Sequence, residues 1–142
     1  MSSAAMIRAR VLDAPLDVAE HERAVAVAEA GAVVSFAGVV RNHDHGRGVL
    51  SLSYEGHPSA GEELRRIAEE IAARPGVRGI VVSHRVGDLA IGDPALVAAV
   101  AAEHRKEAFD ACADLVDEVK ARLPIWKHQH FDDGTDEWVN CP

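Results

Sequence analysis

The sequence has few aromatic residues, two cysteines, no long apolar run and no excess of positive charge. Aromatic side chains make up 4% of the 142 residues, so the core must be built mainly from aliphatic side chains. Cys112 and Cys141 are too few for a disulfide framework or a zinc knuckle. No apolar run approaches the roughly 20 residues of a membrane-spanning helix, and residues 1–5 lack the pattern of a secretory signal. These absences predict a cytoplasmic protein that does not enter a membrane.

The formal net charge of −8 argues against nucleic acid as a partner, because nucleic-acid binding depends on basic surface. The length and the 48% hydrophobic fraction are typical of one soluble domain spanning residues 1–142. Basic residues and histidines nevertheless cluster in three segments, at 41–47, 104–106 and 120–130. An acidic protein with local basic clusters is expected to have pockets for small anions.

The hydrophobic pattern predicts an α+β fold with about three helices and a mainly antiparallel sheet. Residues 95–102 are ambiguous because alanine favours a helix, but the turn at 92–94 favours an antiparallel strand. Polar residues at 41–48 predict a mobile loop. Helices are expected at 15–28, 58–74 and 104–123, and further strands at 7–11, 32–40, 49–55, 77–86, 125–131 and 137–139.

The third predicted helix carries two cations in line with apolar residues. At 100° per residue, Arg105, Phe109, Ala113, Val116 and Lys120 fall within an arc of about 80°. We interpret this arc as the core-facing stripe, which is an unusual position for a solvated lysine. The alternative is that the lysine stem covers apolar surface while its ammonium group reaches water.

Lys127 follows Pro124 and Trp126 on the segment that leaves this helix, and a chain reversal there would bring it close to Lys120. Two ammonium groups in one partly desolvated pocket would make one of them a usable base or nucleophile. The same pair would also bind a phosphate or a terminal carboxylate.

His104 and Arg105 lie at the start of the third helix, where free N–H groups favour anions. The alternative is that His104 merely caps the helix or packs, and that Arg105 pairs with Glu103. Because Arg105 and Lys120 are 15 residues apart, they stand roughly 22 Å apart along the axis. If both serve one small ligand, a second copy of the chain must supply one of them. The sequence therefore predicts a homodimer with a composite site.

Arg41 comes directly after a predicted buried strand and is a candidate anion clamp. The nearby His43 and His45 could form a metal site with His128 and His130, since imidazole binds zinc, copper or iron. However, side chains two apart in a loop have no fixed convergence, and no cysteine or carboxylate ligand pattern accompanies them. We therefore expect no bound metal.

Six short motifs occur in order along the chain. They are Phe36-x-Gly38-x-Val40-Arg41-Asn42-His43, Leu52-x-Tyr54-Glu55, His84-Arg85-x-Gly87-x-Leu89-x-x-Gly92-Asp93, His104-Arg105-x-x-x-Phe109, Lys120-x-x-x-Pro124-x-Trp126-Lys127 and Trp138-Val139. As a set, over about residues 6–139, they resemble the large, catalytic subunit of molybdopterin synthase.

This resemblance implies an α/β-hammerhead type of fold and a homodimer flanked by two copies of a small ubiquitin-like subunit, a heterotetramer. That partner ends in Gly-Gly and carries a C-terminal thiocarboxylate, which is the sulfur donor. The family converts cyclic pyranopterin monophosphate to molybdopterin by two sulfur transfers, with no metal or other cofactor. The expected activity is that of a sulfurtransferase.

The resemblance also implies roles for individual residues. Lys120 matches the family's essential lysine and Lys127 its second pocket lysine. Arg41, His104 and Arg105 match its anion-binding residues, and the last two are expected to come from the neighbouring subunit. Two alternatives remain open: a non-catalytic adaptor that binds the C-terminus of a ubiquitin-like protein, and a histidine-dependent metal hydrolase.

Overall fold

The computed structural model describes residues 4–139; Cys141 lies outside them. Within this range the chain forms three helices and nine strands, as the α+β prediction expects. None of the described helices is long and apolar enough to cross a membrane. The elements in chain order are β1 (Met6–Leu12), α1 (Val18–Val25), β2 (Ala32–Val39), β3 (His43–Asp44), β4 (Arg47–Gly56), α2 (Ala60–Ala72), β5 (Val77–Arg85), β6 (Gly87–Leu89), β7 (Pro94–Ala102), α3 (Arg105–Arg122), β8 (Ile125–Phe131) and β9 (Asp136–Val139).

The first sheet has the strand order β1-β5-β7-β2, with β1 parallel to β5 and the other pairs antiparallel. Helix α1 covers one face of this sheet, and α2 and α3 pack on the other. The alanine-rich segment of β7 lies in the centre of the sheet and is buried on both faces, so the strand prediction for 95–102 is confirmed. Tertiary burial overrides the helical preference of alanine here.

The second sheet has the order β3-β4-β8-β9, and β6 pairs with β4. Its strands β8 and β9, expected at 125–131 and 137–139, form a hairpin whose turn contains Gly134 at a φ of +86°. The segment at 41–48, predicted as a loop, instead contains β3 and the start of β4. His45 and Gly46, at φ values of 49° and 78°, make the tight turn between these strands. Positive φ at both positions is typical of a two-residue hairpin turn.

Helix α1 is shorter than the predicted 15–28. Asp17 caps its N-terminus by accepting a hydrogen bond of 3.2 Å from the backbone N–H of Glu20. The chain leaves the helix after Val25, because Ala26 has an extended backbone conformation. The capping carboxylate, and not Pro15, therefore sets the start of the helix.

The prediction that Arg105, Phe109 and Lys120 lie on the core-facing stripe of α3 is wrong. All three are exposed, and Phe109 is 60% exposed. Alanine occurs on both faces of this helix, so the spacing of apolar residues did not identify which face is buried. On the buried face, small side chains allow the helix to pack closely on the sheet. The buried residues are Ala108, Ala111, Cys112, Leu115, Val116 and Val119.

Candidate active site

Three of the five predicted site residues, Arg41, Lys120 and Lys127, line one cavity of about 270 Å³. The cavity lies between the end of β2, the β3–β4 hairpin, β8 and the last turn of α3. Three cations on one small cavity form a receptor for negative charge. Within a single chain, the tertiary structure therefore brings these three of the five predicted residues together.

The chain reversal after α3 brings the two lysines together. The helix ends at Arg122, and β8 begins at Ile125 and runs antiparallel to β4, with Lys127 opposite Tyr54. Arg122 fixes this end of α3, because its guanidinium donates hydrogen bonds to Glu63 and Glu70 of α2, at 2.9 and 2.8 Å. The last turn that carries Lys120 is thus anchored to the helix layer.

Arg41 directly follows the buried Val40, whose N–H donates to the carbonyl oxygen of Asp93 at 3.0 Å. The Val40 carbonyl accepts from the N–H of Gly92 at 2.7 Å. These backbone bonds hold the end of β2, while the Arg41 side chain is 66% exposed at the mouth of the cavity. Its position fits an anion clamp that can still move onto a ligand.

Sequence reasoning missed a carboxylate–amide pair in the same cavity. Asp44 accepts a hydrogen bond of 2.8 Å from the side-chain amide of Gln129, which is buried in β8. Asp44 also lies 3.5 Å from Arg41. No signal in the sequence alone joins residues 44 and 129, because their contact depends on the pairing of β3, β4 and β8.

A buried histidine, His84, also lines the cavity and was not among the predicted site residues. Its Nδ1–H donates to the carbonyl oxygen of Arg85 at 2.8 Å, so Nε2 carries the lone pair. Among the described residues, Nε2 has no hydrogen-bond partner. The ring packs edge-on against Tyr54, with centroids 4.9 Å apart. Residues 84 and 85 belong to one of the quoted motifs, which is the signal that could have identified this histidine.

Burial lowers the pKa of His84 to about 4, the backbone hydrogen bond to Arg85 opposes this, and the Lys120 ammonium lowers it further. An unfolded histidine has a pKa near 6.5. Between pH 6.5 and 4, His84 is therefore protonated in the unfolded chain and neutral in the folded chain. The free energy of unfolding should therefore fall by roughly 3 kcal/mol from this group as the pH drops through that window. Urea unfolding of wild type and His84→Gln across pH 4–7 measures this. Equal pH slopes for the two proteins would contradict it.

His104 and Arg105 do not line this cavity. His104 is the N-cap of α3 and makes no side-chain cap hydrogen bond, and both side chains are exposed. His104 thus occupies the capping position that the alternative assigned to it, without a side-chain hydrogen bond to the helix. The 18-residue helix is about 27 Å long, so its two ends cannot serve one small ligand within a single chain.

Of the four histidines considered as metal ligands, His128 and His130 pack against each other on β8, with ring centroids 4.3 Å apart, while His43 and His45 lie in the β3–β4 hairpin. His128 stacks on Trp138, with centroids 4.2 Å apart, and its Nε2 lies 2.6 Å from a carboxylate oxygen of Asp136. His43 contacts Asn42 on the other hairpin. Within residues 4–139, no three histidine, cysteine, aspartate or glutamate side chains form a group that could hold a metal ion.

Comparison with known proteins identifies the family. The sequence model described as MoaE protein matches residues 11–122, which is most of the chain. The protein belongs to this family. The molybdopterin synthase catalytic subunit 1 of Mycobacterium tuberculosis is 41% identical over 135 residues, covering 92% of this chain and 88% of that protein. The catalytic subunit of Nostoc sp. is 39% identical over 129 residues, covering 89% and 78%.

Solved structures of the family share the fold. Molybdopterin synthase from Staphylococcus aureus superposes with a TM-score of 0.85 at 32% identity, covering 92% of this chain and 96% of that chain. The resemblance drawn from the six motifs is confirmed, and so is the α+β fold predicted from the hydrophobic pattern.

Proposed function

We propose that the protein is the catalytic subunit of a molybdopterin synthase, which converts cyclic pyranopterin monophosphate to molybdopterin. The observation that supports this most directly is the cavity shared by Arg41, Lys120 and Lys127 in a member of the MoaE family. The substrate carries a phosphate, and the sulfur donor ends in an anionic thiocarboxylate. A cavity lined by three cations suits both.

The proposed sulfur donor is a small ubiquitin-like partner whose C-terminal Gly-Gly tail enters the cavity. Its thiocarboxylate sulfur forms a bond to a side-chain carbon of the pterin beside Lys120, and an oxygen substituent leaves that carbon. Water then cleaves the acyl–sulfur bond, so the sulfur stays on the pterin and the carrier is released with a C-terminal carboxylate. The Lys120 ammonium exchanges a proton with the reacting groups or stabilises the negative charge that develops on the acyl group. Lys127 positions the tail carboxyl group. These roles require no proton transfer through His84, whose ring stays neutral near pH 7.

The complete site is proposed to require a homodimer, in which the second copy supplies His104 and Arg105 to bind the substrate phosphate. The midpoint between residues 105 and 120 falls between Cys112 and Ala113 of α3. A two-fold axis near Ala113 would therefore place Arg105 of one copy alongside Lys120 of the other. The surface there is apolar, since Phe109 is 60% and Val33 44% exposed. A shallow groove beside them is lined by Val34, Phe36, Cys112, Ala113 and Val116.

With two copies of the sulfur carrier bound to the homodimer, the proposed assembly is a heterotetramer. We also propose a cytoplasmic location. Cys112 supports this, because it is a buried free thiol, as is usual in a reducing compartment. Burial raises the pKa of Cys112 to about 11, so the thiol is unreactive and plays no part in the sulfur transfer.

The test is a reconstitution in which the purified protein is treated with a chelator and then mixed with thiocarboxylated partner and the pterin monophosphate. The expected result is formation of the dithiolene product, which is detected by mass spectrometry. Binding of the partner without product would instead indicate an adaptor. Activity that returns only when a metal is added would indicate a metal hydrolase and overturn the proposal.

A further inference from the structure

Asp44 is a carboxylate within the cation-lined cavity. Its side chain is only 15% exposed and lines the cavity with Arg41 and Lys127. A negative charge at this position repels phosphate and thiocarboxylate, so it weakens the anion binding that the three cations provide. The carboxylate therefore requires an explanation other than anion binding.

One oxygen of the Asp44 carboxylate, Oδ2, is fixed by a hydrogen bond within the protein. The tight turn at His45 and Gly46 places it over the cavity, and Gln129 donates a hydrogen bond of 2.8 Å to its Oδ2. This hydrogen bond lowers the pKa of Asp44, and the nearby cationic groups of Lys127 and Arg41 lower it further. Asp44 is thus ionised near pH 7 and can only accept hydrogen bonds.

The other carboxylate oxygen, Oδ1, is engaged only weakly. Its contacts with Arg41 and His45 are 3.5 and 3.6 Å, at or beyond the limit of a hydrogen bond. A pterin ring carries an amino group next to a ring N–H, and this pair of parallel donors matches a carboxylate as a guanidinium fork does. Phosphate and thiocarboxylate have no such donors.

We propose that Asp44, held by Gln129, binds the N–H edge of the pterin ring while the cations of the cavity bind the anionic groups. This inference rests on the proposed function and makes Asp44 a substrate-binding residue. The carboxylate then sets the orientation of the substrate, because only the ring edge is attracted to it and the phosphate is repelled towards the cations.

The test compares two ligands, cyclic pyranopterin monophosphate and inorganic phosphate, by calorimetric titration of the assembled protein. Asp44→Asn should weaken binding of the pterin monophosphate by about 10- to 100-fold, since it removes charge-assisted hydrogen bonds. The same variant should bind inorganic phosphate as well as wild type or more tightly, because a repelling charge is gone. Asp44→Glu keeps the charge but displaces the carboxylate, so it should weaken binding of the pterin monophosphate and leave binding of inorganic phosphate unchanged.

Asp136→Asn is the matched control, because Asp136 pairs with His128 on the neighbouring hairpin and does not line the cavity. It should leave both affinities unchanged. If Asp44→Asn changes the affinities for both ligands in the same direction, or changes neither affinity, Asp44 is merely a counter-ion of Arg41 and the inference is overturned. If wild type itself binds phosphate but not the pterin monophosphate, the proposed function fails, and the inference fails with it. The two failures are distinguishable by the behaviour of the wild-type protein.

Discussion

Replacing Lys120 by alanine is expected to reduce product formation by at least about 100-fold, while leaving the fold intact. A positioned acid–base or charge-stabilising group contributes roughly that much or more to a rate. The side chain is exposed at the cavity, and the helix is held by its buried face and by Arg122, so stability should change little. Single-turnover assays with thiocarboxylated partner measure the rate, and thermal unfolding checks the fold.

Lys120→Arg separates the two roles considered for this lysine. Arginine keeps the positive charge but does not release a proton near neutral pH. Activity close to wild type would assign Lys120 to charge stabilisation, and activity as low as that of Lys120→Ala would assign it to proton transfer. Arg65→Ala is a suitable control, because Arg65 is an exposed cation on α2, pairs with Glu69 and lies outside the cavity. Near-normal activity of Lys120→Ala would remove Lys120 from the mechanism.

Mixing two inactive variants is expected to restore activity if the site is composite. Lys120→Ala and Arg105→Ala homodimers each lack one part of every site. A heterodimer of the two carries one intact site, formed by Arg105 of one copy and Lys120 of the other, and one site that lacks both. Random re-association of equal amounts makes half of the dimers mixed, so about a quarter of the wild-type activity should return.

The recovery distinguishes a shared site from one contained in a single chain. If each chain supplied all of its own site, every site in the mixture would lack one residue and no activity would return. Unfolding and refolding the two variants together ensures exchange, and each variant treated alone is the control. A fully active monomer in sedimentation would also contradict the composite site. The apolar surface around Phe109 gives a further check, because Phe109→Glu should weaken the dimer without altering the cavity of a single chain.

The sequence predicted the helices and strands where local pattern and burial agree. Strand β5 and helix α2 were placed within about two residues of their observed bounds, because their apolar residues follow the period of the element that they form. The prediction for the face of α3 failed, because alanine is compatible with both the packed side and the exposed side. The hairpin of β3 and β4 was missed, because its pairing depends on residues from β8 as well as on its own turn.

The sequence by itself determined the family, through motifs whose order and spacing are specific, and the separation of the two cationic ends of α3, through the constant rise of a helix. Only the tertiary structure decided which side chains share a cavity. Lys120 and Lys127 line the same cavity because the chain reverses after α3 and β8 then pairs antiparallel with β4. Asp44 meets Gln129 because strands distant in sequence pair in a register that local pattern does not encode. His84 and Lys120 line the same cavity because α3 packs against the sheet that contains β5.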